Sequence, residues 1–484
     1  MTGHRRPSSP DRGAGSTAGR PERATPGDLV VLVSDTGPAP MNIGAVLVLD
    51  DAEGLDLPTL AAVLGPRVTR VPRLRQRLVQ APPLCGRPVW QDDPAFTLAA
   101  HLEHADVSDA DPSHAGTEES GGRDALLGLA ADAFCRHLPR DRPLWSLLLV
   151  TGLSGRQAAL VIVLHHVVAD GIGGLAVLAA LADAPATGSL TDTRAAGGAA
   201  DTPAREAFPR PPATRRELAA DALRGRLTTA RGLWPALRRA LGGLRELGVG
   251  AGRPVFAGRT SLNRPTGARR RLTAVTLERG RLVDAAHRRE CTVNDLLLAA
   301  ASGAMASTLR RRGDDLRTLI VSVPVAAAPG AGGPDETRTG AGNRTGVRPI
   351  AIPMDPDPRA RLRAVAAWSR QWQAAERAQS AAPLSLAFRG LGRLGLLGPL
   401  LAHQRLVHTF LSNVRGPVEP LTLAGLRVAE VLPVSVSPGN VGVAFDALSY
   451  ADQLVVTVVA DPDLLPEQEQ LTEELRAELL GQLA

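Results

Sequence analysis

Residues 158–174 read AALVIVLHHVVADGIGG, and this stretch decides both the fold class and the chemistry to look for. The run 158–164 has the length and β-branched content of a buried strand. It leads directly into His165 and His166, and the chain returns to helical composition after Gly171. A strand, a short loop and a helix in succession predict an α/β fold, and the same alternation recurs in the second half.

The spacing HHxxxDG, formed by His165, His166, Asp170 and Gly171, is specific for so short a motif. Imidazole titrates near neutrality and can take the proton of a hydroxyl that attacks a carbonyl. A loop after a rigid strand suits such a residue. Asp170 can hold the loop by pairing with an arginine, and Gly171 permits a tight turn. The plainer interpretation is that histidines at a strand end only bond the backbone.

A metal site at the same place is disfavoured. Adjacent side chains on an extended segment point apart, so His165 and His166 are poorly placed to share one ion. HExxH and CxxC motifs are absent from the sequence. We therefore predict no metal and no cofactor.

Composition narrows the class of protein. The 484 residues are 44% apolar and 21% charged, which excludes disorder throughout. Aromatic residues make up 3% and the net charge is +6, so a nucleic-acid partner that stacks its bases is not expected. Three cysteines do not form a disulfide scaffold, and no stretch has the length of a membrane span. We expect a cytoplasmic protein that is at most peripheral to a membrane.

Pattern changes divide the chain into four parts. Residues 1–25 are predicted to be a disordered basic tail, and residues 26–184 a first domain that contains HHxxxDG. Residues 185–258 are predicted to be a linker followed by a basic amphipathic helix, and residues 259–484 a second α/β domain. Within the first domain, residues 40–50 predict a strand and residues 60–79 a basic helix.

The amphipathic helix is predicted over residues 213–247, and its function stays open. Arginines surround a stripe that steps by three and four, made of Leu223, Leu227, Ala230, Trp234, Leu237, Leu241 and Leu244. One interpretation is a helix that lies on an anionic membrane or lipid inclusion. The other is a helix packed on its own protein with a solvated basic face.

Several motifs in order resemble one known family. HHxxxDG is the signature of the CoA-dependent acyltransferase superfamily, and the chain from about residue 41 to 466 resembles its bacterial wax ester synthase/diacylglycerol acyltransferase branch. The resemblance rests on PMNIGAVLVLD, RPLW with Pro143, Leu144 and Trp145, TVNDLLLAAASGAM with Asn294 and Asp295, the pair Gly342 and Asn343, and SNVRGP with Ser412 and Asn413. Arg415 and Asp446 depart from the pattern of the family.

The resemblance implies a fold of two chloramphenicol acetyltransferase-like domains with an active-site tunnel between them. It implies that His166 is the general base, that His165 supports it and that Asp170 is structural. Residues 143–145 would line an acyl channel, whereas residues 294–295 would shape the site between the halves. Ser412 and Asn413 would lie near acyl-CoA or stabilise the interface between the domains.

The implied reaction moves a fatty acyl group from acyl-CoA to diacylglycerol or to a long-chain alcohol. No GxSxG nucleophile motif occurs, so a covalent acyl-enzyme is not expected. Two alternatives stay open at this point. The acceptor can be another hydroxyl or an amine, or the chain can be a catalytically weak protein that binds lipid inclusions.

Overall fold

The computed structural model describes residues 21–108, 118–183, 208–231, 257–326, 345–374, 391 and 396–483. The helices are α1 (Pro26–Ser34), α2 (Leu57–Val68), α3 (Glu118–Cys135), α4 (Gly171–Leu181), α5 (Arg215–Arg231), α6 (Arg279–Arg288), α7 (Val293–Arg311), α8 (Pro358–Ala374), α9 (Leu397–Ala402) and α10 (Gln468–Leu483). The strands are β1 (Asn42–Leu49), β2 (Gln76–Val79), β3 (Val89–Asp92), β4 (Leu102–Asp106), β5 (Trp145–Thr151), β6 (Ala158–His165), β7 (Arg271–Glu278), β8 (Thr318–Ala326), β9 (Thr345–Pro353), β10 (Thr409–Arg415), β11 (Thr422–Leu423), β12 (Leu426–Ser435), β13 (Val443–Tyr450) and β14 (Gln453–Ala460).

The described strands form two six-stranded sheets and one hairpin. The first sheet has the order β11-β12-β1-β6-β5-β4, and β6 is paired on both sides. This explains why β6 is apolar and buried on both faces, since α4 and α2 cover one face and α3 covers the other. The second sheet has the order β7-β14-β13-β10-β8-β9 and packs against α7, α8 and α10. The predicted α/β fold of two domains is confirmed.

The segment that contains β11 and β12 connects the two halves. Strands β11 and β12 come from the second half of the sequence, yet β12 pairs with β1 of the first sheet over 428–435. The predicted boundary at residue 259 therefore does not separate the two sheets. Alternating apolar residues predict that a strand exists, but they carry no signal for the sheet that receives it.

A shared apolar core fills the space between the sheets. Val161 and Val163 of the first sheet pack in one cluster with Leu272, Val455 and Val459 of the second. The hydrophobic effect therefore fixes the relative position of the halves as well as their interiors.

Two local predictions are wrong. The helix expected over residues 60–79 stops at Val68, because Pro72 has no N–H to continue it, and residues 76–79 form β2 instead. Residues 21–25, assigned to a disordered tail, are packed on the protein. Arg23 bridges to Val89 and its guanidinium lies 2.6 Å from the carboxylate of Asp221. Residues 1–20 lie outside the described part of the chain.

Candidate active site

His165 is the last residue of β6, and both nitrogens of its ring are occupied. The Val167 N–H donates to Nδ1 at 3.1 Å, so Nδ1 carries a lone pair and no proton. The proton of a neutral ring then sits on Nε2, which lies 3.2 Å from Oδ2 of Asp35 and donates to it. His165 is only 4% exposed. This arrangement suits a supporting residue and leaves no ring nitrogen for a substrate.

His166 is presented by the turn that follows. Its N–H donates to the carbonyl of Met41 at 2.8 Å, and the Val168 N–H closes the turn on the carbonyl of His165 at 2.8 Å. His166 is half-buried, unlike its neighbour. Of the two histidines, it is therefore the one whose position suits proton transfer.

Asp170 and Gly171 begin α4. Oδ1 of Asp170, a residue 5% exposed, accepts the Gly173 N–H at 2.9 Å, which is an N-cap. The predicted structural role of Asp170 thus has a geometric basis in helix capping. Gly171 has no left-handed backbone, so the predicted tight turn is not its reason. A Cβ there would lie 3.2 Å from Val414 Cγ2, so glycine permits close approach of β10 to α4.

The segment 143–145 lies beside the histidine turn. All three residues are buried, and the carbonyl of Leu144 accepts the His165 N–H at 3.0 Å. The indole N–H of Trp145 donates to the carbonyl of Leu74 at 2.8 Å, and its ring stacks on His101 with centroids 4.4 Å apart. These contacts hold the end of β5 in the core. Acyl-channel lining by Pro143, Leu144 and Trp145 stays a prediction.

In the second half, Asn294 and Asp295 make different contacts, although the sequence motif treats them as a pair. Asp295 forms a capping box with Thr292 and also accepts the Ser369 hydroxyl, and it is 1% exposed. It is therefore committed to the start of α7. Asn294 is half-buried, and its Oδ1 accepts from Nδ2 of Asn413 at 3.3 Å. The structure thus brings Asn294 and Asn413 together within the second half, and their predicted places in the site between the halves stay predictions.

Ser412 lies on β10 opposite Asp446 of β13, a residue noted in the sequence only as a departure from the family. Asp446 is 4% exposed, and both its oxygens accept from Ser435, at the end of β12. Burial raises the pKa of Asp446 to about 7, although the bonds from Ser435 lower it in part. Among the described residues, no charged side chain forms an ion pair with this carboxyl group.

Asp35, which follows α1, is a site residue that sequence reasoning missed. Its carboxylate is 2% exposed and lies 2.7 Å from the guanidinium of Arg140, and it also accepts the Met41 N–H at 3.1 Å. Burial alone would raise the pKa of Asp35, but the bonds and charge of His165, the bond from Met41 and the charge of Arg140 lower it below its usual value. No spacing motif marks Asp35, because its side-chain partners His165 and Arg140 lie 130 and 105 positions away in the sequence.

Some predictions fall outside what can be placed. Gly342 and Asn343 lie outside the described residues. Among the residues that the structure describes, no group of three His, Cys, Asp or Glu side chains could hold a metal ion. Within the same ranges, every helix is too short or too polar to cross a bilayer.

The two sheets, the strand exchanged between them and the histidine turn after β6 define a CoA-dependent acyltransferase-like protein. The family model "Wax ester synthase/diacylglycerol acyltransferase catalytic domain" matches residues 25–297, and the model of the "WS/DGAT C-terminal domain" matches residues 341–481. The chain belongs to the wax ester synthase/diacylglycerol acyltransferase family.

Individual relatives agree with this assignment. A Mycobacterium tuberculosis protein named "Probable diacyglycerol O-acyltransferase tgs1" is 30% identical over 446 residues, which are 89% of this chain and 88% of that protein. The wax ester synthase/diacylglycerol acyltransferase from Marinobacter aquaeolei VT8 has the same fold, with a TM-score of 0.62 at 19% identity over 96% of this chain and 98% of that one. A starter condensation domain of rhizomide synthetase, solved with C8-CoA and Leu-SNAC, matches with a TM-score of 0.56 at 16% identity over 97% and 95% of the two chains.

Proposed function

We propose that this chain transfers a fatty acyl group from acyl-CoA to the hydroxyl of diacylglycerol or of a long-chain alcohol, with His166 as the general base. The names of its relatives support this substrate class. The observation that carries the residue assignment is the division between the two histidines. Both ring nitrogens of His165 serve the scaffold, whereas the half-buried His166 sits at the end of a rigid strand.

The proposed reaction balances without a covalent enzyme intermediate. His166 takes the proton of the acceptor hydroxyl as its oxygen attacks the thioester carbonyl. The tetrahedral oxyanion collapses, the C–S bond breaks, and CoA leaves with the proton from the imidazolium. A general base contributes about 10²–10⁴-fold, so positioning and oxyanion stabilisation must supply the remaining rate.

The test measures CoA release from palmitoyl-CoA with diacylglycerol, with hexadecanol and with no acceptor. We expect acceptor-dependent release, and the better acceptor decides between triacylglycerol and wax ester synthesis. If a folded protein releases no CoA with diacylglycerol and none with hexadecanol, the proposal is contradicted. It would favour another acceptor or a lipid-binding protein without this activity.

We also propose that α5 places the protein on an anionic lipid surface. The helix packs on the protein through Leu218 and Ala222, yet Leu223 and Leu227 remain 57% and 55% exposed. Leu84 beside them is 80% exposed, and we call Leu84, Leu223 and Leu227 the leucine patch. Arg226 reaches the carbonyl of Leu84 at 3.2 Å, so the helix lies over the β2–β3 hairpin.

Charge supports a lipid rather than an apolar protein partner. The exposed side chains of α5 include Arg215, Arg216, Arg224 and Arg226 against Glu217 alone. Apolar side chains flanked by arginines suit the boundary between acyl chains and anionic headgroups. The stripe beyond residue 227 lies outside the side chains that the structure describes.

Sedimentation with vesicles tests the leucine patch. Wild type should pellet with phosphatidylglycerol vesicles more than with phosphatidylcholine vesicles, and less at high salt. The double variant Leu223→Ser/Leu227→Ser should lose this binding. Leu480→Ser, an exposed leucine on α10, is the matched control and should keep it. Equal pelleting of all three proteins would end the proposal.

A further inference from the structure

Asp35 forms hydrogen bonds to two segments that flank His166, one at Met41 and one at His165. Its Oδ1 accepts the Met41 N–H at 3.1 Å, and the carbonyl of Met41 accepts the His166 N–H at 2.8 Å. Its Oδ2 accepts from Nε2 of His165, whose Nδ1 in turn accepts the Val167 N–H. One carboxylate thus reaches the residues on both sides of His166 through short chains of hydrogen bonds.

The carboxylate also selects the tautomer of His165. A carboxylate only accepts hydrogen bonds, so it requires a proton on Nε2 and thereby leaves Nδ1 with a lone pair. The Val167 N–H needs this lone pair as the acceptor of its hydrogen bond. An amide at position 35 could instead donate to Nε2, which would move the proton to Nδ1 and oppose the Val167 N–H.

We propose that Asp35 is the positioning residue of the active site and acts through His165 to hold His166 where it can take a proton. This inference rests on the proposed function of His166. The pair is protected from solvent, since the side chains of Asp35 and His165 are 2% and 5% exposed. A hydrogen bond to an ionised group in such a place is stronger than a neutral one and cannot be replaced by water.

Arg140 provides the matched control. It forms an ion pair with the same carboxylate at 2.7 Å, but its side chain is 64% exposed. Because its guanidinium is largely solvated, removing it should disturb the buried bonds of Asp35 less than a substitution of Asp35 itself. Arg140→Ala should therefore keep kcat within about threefold of wild type, since it leaves both bonds of Asp35 to the histidine turn in place.

Kinetics separate positioning from general stabilisation. Asp35→Asn should lower kcat about ten- to a hundredfold, because a small displacement of a catalytic group is costly, while KM for palmitoyl-CoA stays within about threefold. His165→Gln should have a similar effect, and the double variant should be little worse than either single one. A double variant whose losses multiply, or Asp35→Asn with wild-type kcat, would overturn the proposal.

A measurement on the wild type keeps the proposal testable if a variant does not fold. Protein labelled with ¹⁵N-histidine, with the His165 signal assigned by comparison with Arg140→Ala and His165→Gln, should show the proton of that ring on Nε2. A proton on Nδ1 would overturn it. Absence of acyl transfer in the wild type would instead refute the proposed function, and the tautomer result would still stand.

Discussion

The starts of α4 and α7 lie in opposite halves of the molecule, and in both a buried acid accepts the N–H groups that a helix start leaves unbonded. Each helix begins within a motif, HHxxxDG in the first half and ND in the second, and in each the acid is buried and caps the helix. Asp170 accepts the Gly173 N–H at the start of α4, whereas Asp295 forms a reciprocal box with Thr292 and also accepts the Ser369 hydroxyl. The two acids therefore share the function of helix capping, and Asp295 also links the start of α7 to Ser369 of α8.

Each motif contains polar residues of two degrees of burial. The buried acid caps the helix, and a less buried polar residue, His166 or Asn294, precedes it in the sequence. Gly171 against β10, and Asn294 against Asn413 of β10, place both helix starts next to the same strand. Each acid accepts N–H groups at a helix start, so the structure gives both of them a capping function.

Asp446 sharpens the comparison because it is a buried acid that caps no helix. Its folded pKa of about 7 lies above the usual value, so its contribution to stability is present at low pH and is lost as the pH rises through about 7. Asp446→Asn keeps an acceptor for Ser435 and removes the charge. Its unfolding free energy should match wild type near pH 4 and exceed it at pH 8, with about 4 kcal/mol as the upper limit from a shift of about three units.

Urea unfolding of both proteins across this pH range measures the difference. Parallel stability curves would show that the carboxyl group does not titrate between pH 4 and 8. A variant less stable than wild type at pH 8 would show that the ionised form is stabilised instead.

Helix capping predicts how each acid responds to substitution. Asp295→Ala removes the reciprocal box and leaves Ser369 without this acceptor, so we expect a loss of about 2–3 kcal/mol in unfolding free energy. Asp170→Asn should cost less than Asp170→Ala, because asparagine also caps. Urea unfolding at one pH compares the three variants. Equal losses for Asp170→Asn and Asp170→Ala would contradict capping as the function of Asp170.

Local patterns carried much of this architecture. Apolar runs marked β1 and β6, and the return to helical composition after Gly171 marked α4. These features depend on neighbouring residues, which a single sequence contains. The entry of β12 into the first sheet and the packing of Arg23 on Asp221 depend on residues about 200 or more positions away, so no local signal announces them.

The residues of the candidate site likewise fall into those that local patterns identified and those that depend on contacts between distant residues. Spacing identified His166 and Asp170, and family resemblance identified Asn294 and Asn413. Asp35 escaped notice because its role exists only where α1, β1 and β6 meet. The distinction between Asn294 and its neighbour Asp295 likewise required the helix, which turns one side chain to Asn413 and the other to Ser369.

The most direct test of His166 as the general base is the CoA-release assay on His166→Gln and His165→Gln. The free energy of unfolding is measured on the same samples. His166→Gln should lower turnover by about 10²-fold or more with unfolding free energy close to wild type. His165→Gln should lower both, because it breaks the bonds to Asp35 and Val167. A His166→Gln protein that keeps wild-type turnover would contradict the assignment of His166 as the base.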